Sequence, residues 1–105
     1  YSYLYPMAHH DVVQFWTNAE LNAESAAHLV ARGYTAVKVD PAGPYTMRGG
    51  HHPALSDISM SVEFCAAIRA AVGDRSDILF GTHGQFNTDG AIRLGKAIEP
   101  YNPLW

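Results

Sequence analysis

Gly33-Tyr34-Thr35-Ala36-Val37-Lys38-Val39-Asp40-Pro41 is the stretch on which the fold turns. A glycine ends a helix readily because it takes up a left-handed backbone at no steric cost. Small and β-branched residues follow, and then a proline that cannot continue a ladder. The pattern predicts a helix that stops at Gly33 and a short strand over 35–39. On the amino-terminal side, Asn22 is the expected cap of that helix, with Glu24 in its first turn. Ala23, Ala26, Ala27, Val30 and Ala31 recur at helical spacing. Before it, Tyr1 to Tyr5 reads as a strand.

On the carboxyl-terminal side, Pro41-Ala42-Gly43-Pro44 opens a loop that contains Gly49-Gly50 and His51-His52 and runs to about Ser56. A second helix is expected from Ser56 or Asp57 to Gly73. Its stripe is Ile58, Val62, Cys65, Ile68 and Val72, at spacings of four, three, three and four. Ile78-Leu79-Phe80 reads as a strand, followed by Gly81-Thr82-His83-Gly84. Thr88 is the expected cap of a third helix, with Ala91, Ile92, Gly95 and Ile98 inward. Pro100 and Pro103 forbid its continuation, and Leu104-Trp105 begins a fourth strand. Strands alternating with helices define an α/β chain of parallel βαβ units. The strands lack regular polar alternation, as expected when both faces are covered. An open doubly wound sheet and an arc of a (β/α)8 barrel both fit. In either, function collects at the carboxyl ends of the strands.

Composition narrows the classes. The chain has 105 residues, 48% hydrophobic and 16% charged, which excludes a disordered tail. A net charge of −3 carries no basic footprint for nucleic acid. The single cysteine, Cys65, forms no internal disulfide and sits in an apolar stripe, so it reads as core. No apolar run approaches the ~18 residues of a membrane span, and the first residues do not read as a signal peptide. The expectation is a soluble, cytoplasmic-type chain. An opening within a strand, an apolar end and no initiator Met are read as marks of a piece of a longer protein.

The carboxyl ends carry the chemistry. Lys38, Asp40, Tyr45, Arg48, His51 and His52 follow one strand; His83, Gln85 and Asn87 follow the next; His9, His10 and Asp11 follow the first. Of six histidines only His28 lies elsewhere, on a helix, and it reads as a surface residue. Lys38 and Asp40 share one side of their strand, as do Gly81 and His83 of theirs. If the strands are neighbours, Lys38, Asp40 and His83 converge. A lysine and a histidine across a substrate can abstract and donate protons. The plainer alternative is a structural Lys38–Asp40 ion pair with His83 capping its loop. Gly81-Thr82-His83-Gly84 is no dinucleotide fingerprint, because position 86 is Phe. No phosphate-loop lysine and no zinc quartet is present. His51-His52 and His9-His10-Asp11 read as polar loops, since adjacent side chains diverge. Tyr5, Phe15 and Trp16 are expected to pack on the first helix.

Residues 33–41, with 77–105 from Asp-Ile-Leu-Phe-Gly-Thr-His-Gly-Gln-Phe to Glu-Pro-Tyr-Asn-Pro-Leu-Trp, resemble the mandelate racemase/muconate lactonizing branch of the enolase superfamily. The likeness is greatest to its acid-sugar dehydratases, of galactonate dehydratase type. The resemblance favours a partial (β/α)8 TIM barrel. It implies that residues 1–105 are one partial domain, the first three βα units and the start of the fourth strand, with a capping domain and the rest of the barrel elsewhere. In this family Mg2+ holds the substrate carboxylate, a base removes the adjacent proton, and in a dehydratase an acid protonates the departing hydroxyl. Lys38 matches the first lysine of a Lys-x-Lys pattern, and Asp40 stands where the second would be. His83 matches a histidine used as an acid, two residues past a metal-binding aspartate whose place is Gly81. Asp40 is therefore expected to replace that ligand from the neighbouring strand. On this resemblance Lys38 and His83 are the expected acid/base residues, and Tyr45 is a further candidate for proton transfer or substrate binding. The resemblance implies a sugar-acid dehydratase or cycloisomerase and a homo-oligomeric full-length enzyme. A racemase fits less well, since racemases use bases on both faces and the second lysine is gone. The isolated piece is expected to be inactive. The alternative from a different class is a self-standing α/β binding module without catalysis.

Overall fold

The computed structural model describes residues 1–43 and 50–105. Its strands are β1 (Ser2–Tyr3), β2 (Ala36–Val39) and β3 (Asp77–Phe80), and its helices are α1 (Val12–Phe15), α2 (Ala19–Ala31), α3 (Leu55–Val72) and α4 (Thr88–Ile98). The strands lie parallel in the order β1-β2-β3. Tyr3 pairs with Lys38, Lys38 with Leu79, and Val39 with Phe80. The carboxyl-terminal residues run beside β3: Leu104 N–H donates to the Ile78 carbonyl at 2.8 Å and Phe80 N–H to that of Trp105 at 2.6 Å. This is the position expected of a fourth strand. The mixed α/β layout is consistent with part of a (β/α)8 barrel.

Alternate strand residues face the helices. Leu4, Val37, Val39 and Ile78 pack with Phe15, Ala26, Phe64, Ile68 and Val72. Phe80 and Ala42 pack with Ile58, Cys65, Leu94 and Ile98. Each of the larger aliphatic and aromatic side chains among them contributes roughly 1.5–3 kcal/mol when removed from water. The other row, Tyr3, Lys38 and Leu79, therefore points away from the helices. Cys65 is fully buried, and burial pushes its thiol up to about 12. It belongs to the core, as its place in the stripe implies.

Several local details differ from the sequence reading. The first strand is shorter than Tyr1–Tyr5, although Leu4 N–H still reaches the Lys38 carbonyl at 2.9 Å. α1 was not expected; Asp11 builds it by accepting the N–H groups of Val13 and Gln14. Asn18, not Asn22, caps α2 by accepting from Leu21 N–H. Asn22 is instead buried one turn in, where its amide donates to the carbonyls of Phe15 and Asn18 and so ties α1 to α2. α3 begins one residue before Ser56, with the Asp57 carboxylate accepting the Ala54 N–H at 3.0 Å. α4 is capped by Asn87, one residue ahead of Thr88. Its inward residues are Gly90, Leu94 and Ile98, while Ala91, Ile92 and Gly95 face outward. Gly90 is inward because a Cβ there would lie 2.7 Å from Pro53 Cδ, a closeness only glycine allows. Trp16 and Tyr5 do not bury against α2: they stay 54% and 61% exposed, while Phe15 alone enters the core.

Arg69 locks the amino-terminal edge of β3. Its guanidinium donates to four carbonyls, those of Gly73, Ser76, Tyr101 and Asn102, at 2.8–3.0 Å. Arg69→Met keeps the stem and strands these acceptors. In the full-length protein it is expected to lower unfolding free energy by ~2 kcal/mol, read as a lower urea midpoint at unchanged slope.

Candidate active site

Lys38 and Asp40 leave β2, and Gly81 and His83 leave β3, on the face away from the helices. Because β2 and β3 are neighbours, the side chains meet as the spacing implied. His83 Nε2 lies 3.0 Å from Asp40 Oδ2, and Lys38 Nζ lies 3.9 Å from Asp40 Oδ1. The side chains of Lys38 and Asp40 are only 11% and 15% exposed, while that of His83 is half exposed. His83 holds a left-handed backbone at φ +51°, which non-glycine residues rarely adopt. That turn brings its ring back over Asp40.

Position 81 explains the arrangement. A Cβ on Gly81 would sit 1.8 Å from Asp40 Oδ1 and 2.9 Å from Lys38 Cε. The Asp40 carboxylate therefore occupies the space in which a side chain at 81 would begin.

Tyr3 is a site residue that the sequence reading missed. It faces Lys38 across the β1–β2 register, and the Lys38 ammonium donates to its hydroxyl. Nζ also lies 4.4 Å from the Tyr3 ring centre and 5.6 Å from that of Trp105, within cation–π range. The Tyr3 hydroxyl, ahead of the nearby Asp40 charge, holds the Lys38 pKa above its ordinary value against the opposing effect of burial. Lys38 is thus an ammonium. The alternation Tyr1, Tyr3, Tyr5 hinted at one aromatic face, but only the register shows that it meets Lys38. A cavity of about 790 Å³ opens here, lined among others by Tyr3, Tyr5, Trp16, Lys38, Asp40 and His83. Tyr45 and Arg48 lie outside the described residues.

His9 and His10 do not diverge. Both rings converge on Glu24 of α2, at 3.0 Å to Oε1 and 3.1 Å to Oε2. The three donor atoms lie within 4.8 Å of one another, close enough to suit a metal ion. The hydrogen bonding argues for a clasp instead. His10 Nδ1 accepts the Met7 N–H, so the ring proton sits on Nε2 and is given to Glu24. A ligating Nε2 would need its lone pair free. The partner comes from 15 residues away in α2, so adjacency in sequence was a poor guide. Gln85, noted among the loop residues, is 5% exposed, and neither amide atom has a hydrogen-bond partner among the described residues.

The family described as "Enolase C-terminal domain-like" matches residues 21–105. This chain belongs to that enolase C-terminal domain-like family. The enolase-type chain is 43% identical over 83 residues to D-gluconate dehydratase of Thermoproteus tenax, covering 79% of this chain and 16% of that protein. It is 35% identical over 92 residues to D-xylonate dehydratase of Haloferax volcanii, covering 84% of this chain and 22% of that protein. Among solved structures, the mandelate racemase/muconate lactonizing enzyme from Jannaschia sp. CCS1 superposes with a TM-score of 0.98 at 72% identity, over 100% of this chain and 27% of that one. The chain thus spans only 16% and 22% of the length of the two curated relatives named here. Among the described residues, no helix is long and apolar enough to cross a membrane.

Two outcomes are expected in the full-length protein. Gly81→Ala pushes the Asp40 carboxylate aside and lowers the melting temperature, an overpacking cost of about 1–3 kcal/mol. In an Asp40→Ala background the same change costs far less, and additive effects would exclude the contact. The clasp gives a pH dependence. Hydrogen bonds from His9 and His10 hold the Glu24 pKa below its ordinary 4.5. The stabilisation is present above that unfolded-state value and is lost as pH falls through the lowered folded-state value. Glu24→Gln should lower the melting temperature at neutral pH and converge with the wild type below that window, so that its stability falls less steeply with acid, as circular dichroism melts would show.

Proposed function

We propose that these residues form the β1–β3 part, the first three βα units, of the barrel of a longer sugar-acid dehydratase. The observation that carries this reading is the meeting of Lys38, Asp40 and His83 over Gly81, with the Asp40 carboxylate in the space of the missing third-strand side chain. The dehydratases among the relatives, named for D-gluconate and D-xylonate, support the substrate class. A binding module without catalysis is not favoured by those relatives.

Elimination of water from a sugar acid removes the proton next to the carboxylate and delivers one to the hydroxyl leaving the next carbon. Lys38, held as an ammonium, pairs with the substrate carboxylate. His83, oriented by Asp40, donates to the departing hydroxyl. The base for the carbon proton is assigned to Tyr45 or to a part of the barrel outside these 105 residues. The family implies a divalent metal, Mg2+ for this reading. Such an ion takes hard oxygen ligands, and Asp40 Oδ1, set where a third-strand side chain would begin, fits as one of them. The bound ion would supply positive charge to offset the negative charge that grows on the carboxylate as the proton leaves. A small-molecule substrate and a homo-oligomeric enzyme belong to the same reading.

The test uses the full-length enzyme with Mg2+ and D-gluconate, D-galactonate or D-xylonate, reading 2-keto-3-deoxy acid. Turnover of at least one acid is expected, with kcat/KM down about a thousandfold in Lys38→Met. Asp40→Asn should weaken Mg2+ affinity at least about tenfold. No turnover of any acid overturns the reading. Unchanged Mg2+ affinity in Asp40→Asn removes Asp40 from the ligand set.

A further inference from the structure

We propose that Tyr3 is a substrate-binding residue: its hydroxyl accepts from the Lys38 ammonium and donates its own proton to the substrate carboxylate, so that Tyr3 and Lys38 grip that group together. The inference rests on the sugar-acid reading of the same site.

An ammonium has donors and no acceptor, so in the Lys38–Tyr3 contact the phenol oxygen accepts. The phenol proton is therefore not spent there. Among the described residues this hydroxyl makes no other hydrogen bond. Tyr3 is half-buried and lines the cavity that also holds Lys38, Asp40 and His83. An unspent donor at the wall of a cavity is satisfied by whatever fills it.

Register makes the pair. Tyr3 and Lys38 are direct partners on adjacent parallel strands and point to the same face. Two donors on rigid neighbouring strands suit an acceptor with two oxygens. The ammonium supplies charge, and the phenol supplies direction. A hydrogen bond received from a cation also polarises the phenol and strengthens its donation. The ring is fixed as well: Tyr1 and Tyr5 flank it at 6.1 and 6.2 Å between centres.

Tyr3→Phe in the full-length enzyme keeps the ring and its cation–π contact with Lys38, and removes the oxygen that accepts from the ammonium together with the proton it offers. The probe is 3-deoxy-D-gluconate, which has the carboxylate but no hydroxyl to eliminate. Its binding, read by calorimetry, is thus independent of turnover. The expected result is about tenfold weaker binding of the probe, a similar rise in KM for the acid that is turned over, kcat within about threefold, and an unchanged melting temperature. Probe binding within twofold of wild type overturns the proposal while leaving the dehydratase reading intact. A lower melting temperature with unchanged binding also overturns it, and makes Tyr3 a structural residue. A wild-type enzyme that neither binds the probe nor turns over a sugar acid overturns the site reading, and the proposal with it.

Discussion

Everything at the carboxyl ends of the strands depends on one exclusion of volume: Asp40 and a side chain at position 81 cannot both exist as placed. The β2–β3 register sets Val39 beside Phe80, so the next residues, Asp40 and Gly81, also lie side by side. The Asp40 carboxylate crosses toward β3 and takes the space in front of Gly81. From there it reaches Lys38 on its own strand and His83 on the next. The helix-facing row holds that register: Val37, Val39, Ile78 and Phe80 are all buried against α3 and its neighbours. A slip of one residue would turn this apolar row outward and scatter the polar one. The core and the site are the two faces of a single register.

What the sequence made legible was what depends on near neighbours. β2 and β3, the stop at Gly33, the stop at Gly73 and the α3 stripe are local patterns, and they appear where the pattern placed them. The convergence of Lys38, Asp40 and His83 followed from strand period once β2 and β3 were taken as partners. Caps slipped where two competent residues stand close together, Asn18 and Asn22, or Asn87 and Thr88. In each case the residue that starts the helix wins, and Asn22 spends its amide on carbonyls of the turn behind it.

The rest was illegible because its cause lies far along the chain. Nothing near His9-His10 marks Glu24 as their common partner. Nor does anything near Gly90 mark it as an inward residue whose space Pro53 needs. Tyr3 reads as one of three alternating tyrosines until β1 pairs with β2. α1 is only four residues long, too short for periodicity to speak. These are tertiary facts, and single-residue propensity carries no trace of them.

The charges at the strand ends are held by specific partners. Lys38 and Asp40 sit mostly out of water, with side chains 11% and 15% exposed. At such places desolvation opposes the attraction, yet the Tyr3 hydroxyl and the Asp40 charge outweigh it and hold the Lys38 pKa above its ordinary value. The sheet offers the comparison within one row: Leu79, the β3 partner of Lys38, is apolar and 3% exposed. His83 adds a left-handed backbone, a conformation that costs a non-glycine residue. A paired, mostly buried charge and a strained backbone thus adjoin at two strand ends, around one carboxylate and beside one cavity, the kind of place where functional sites are found.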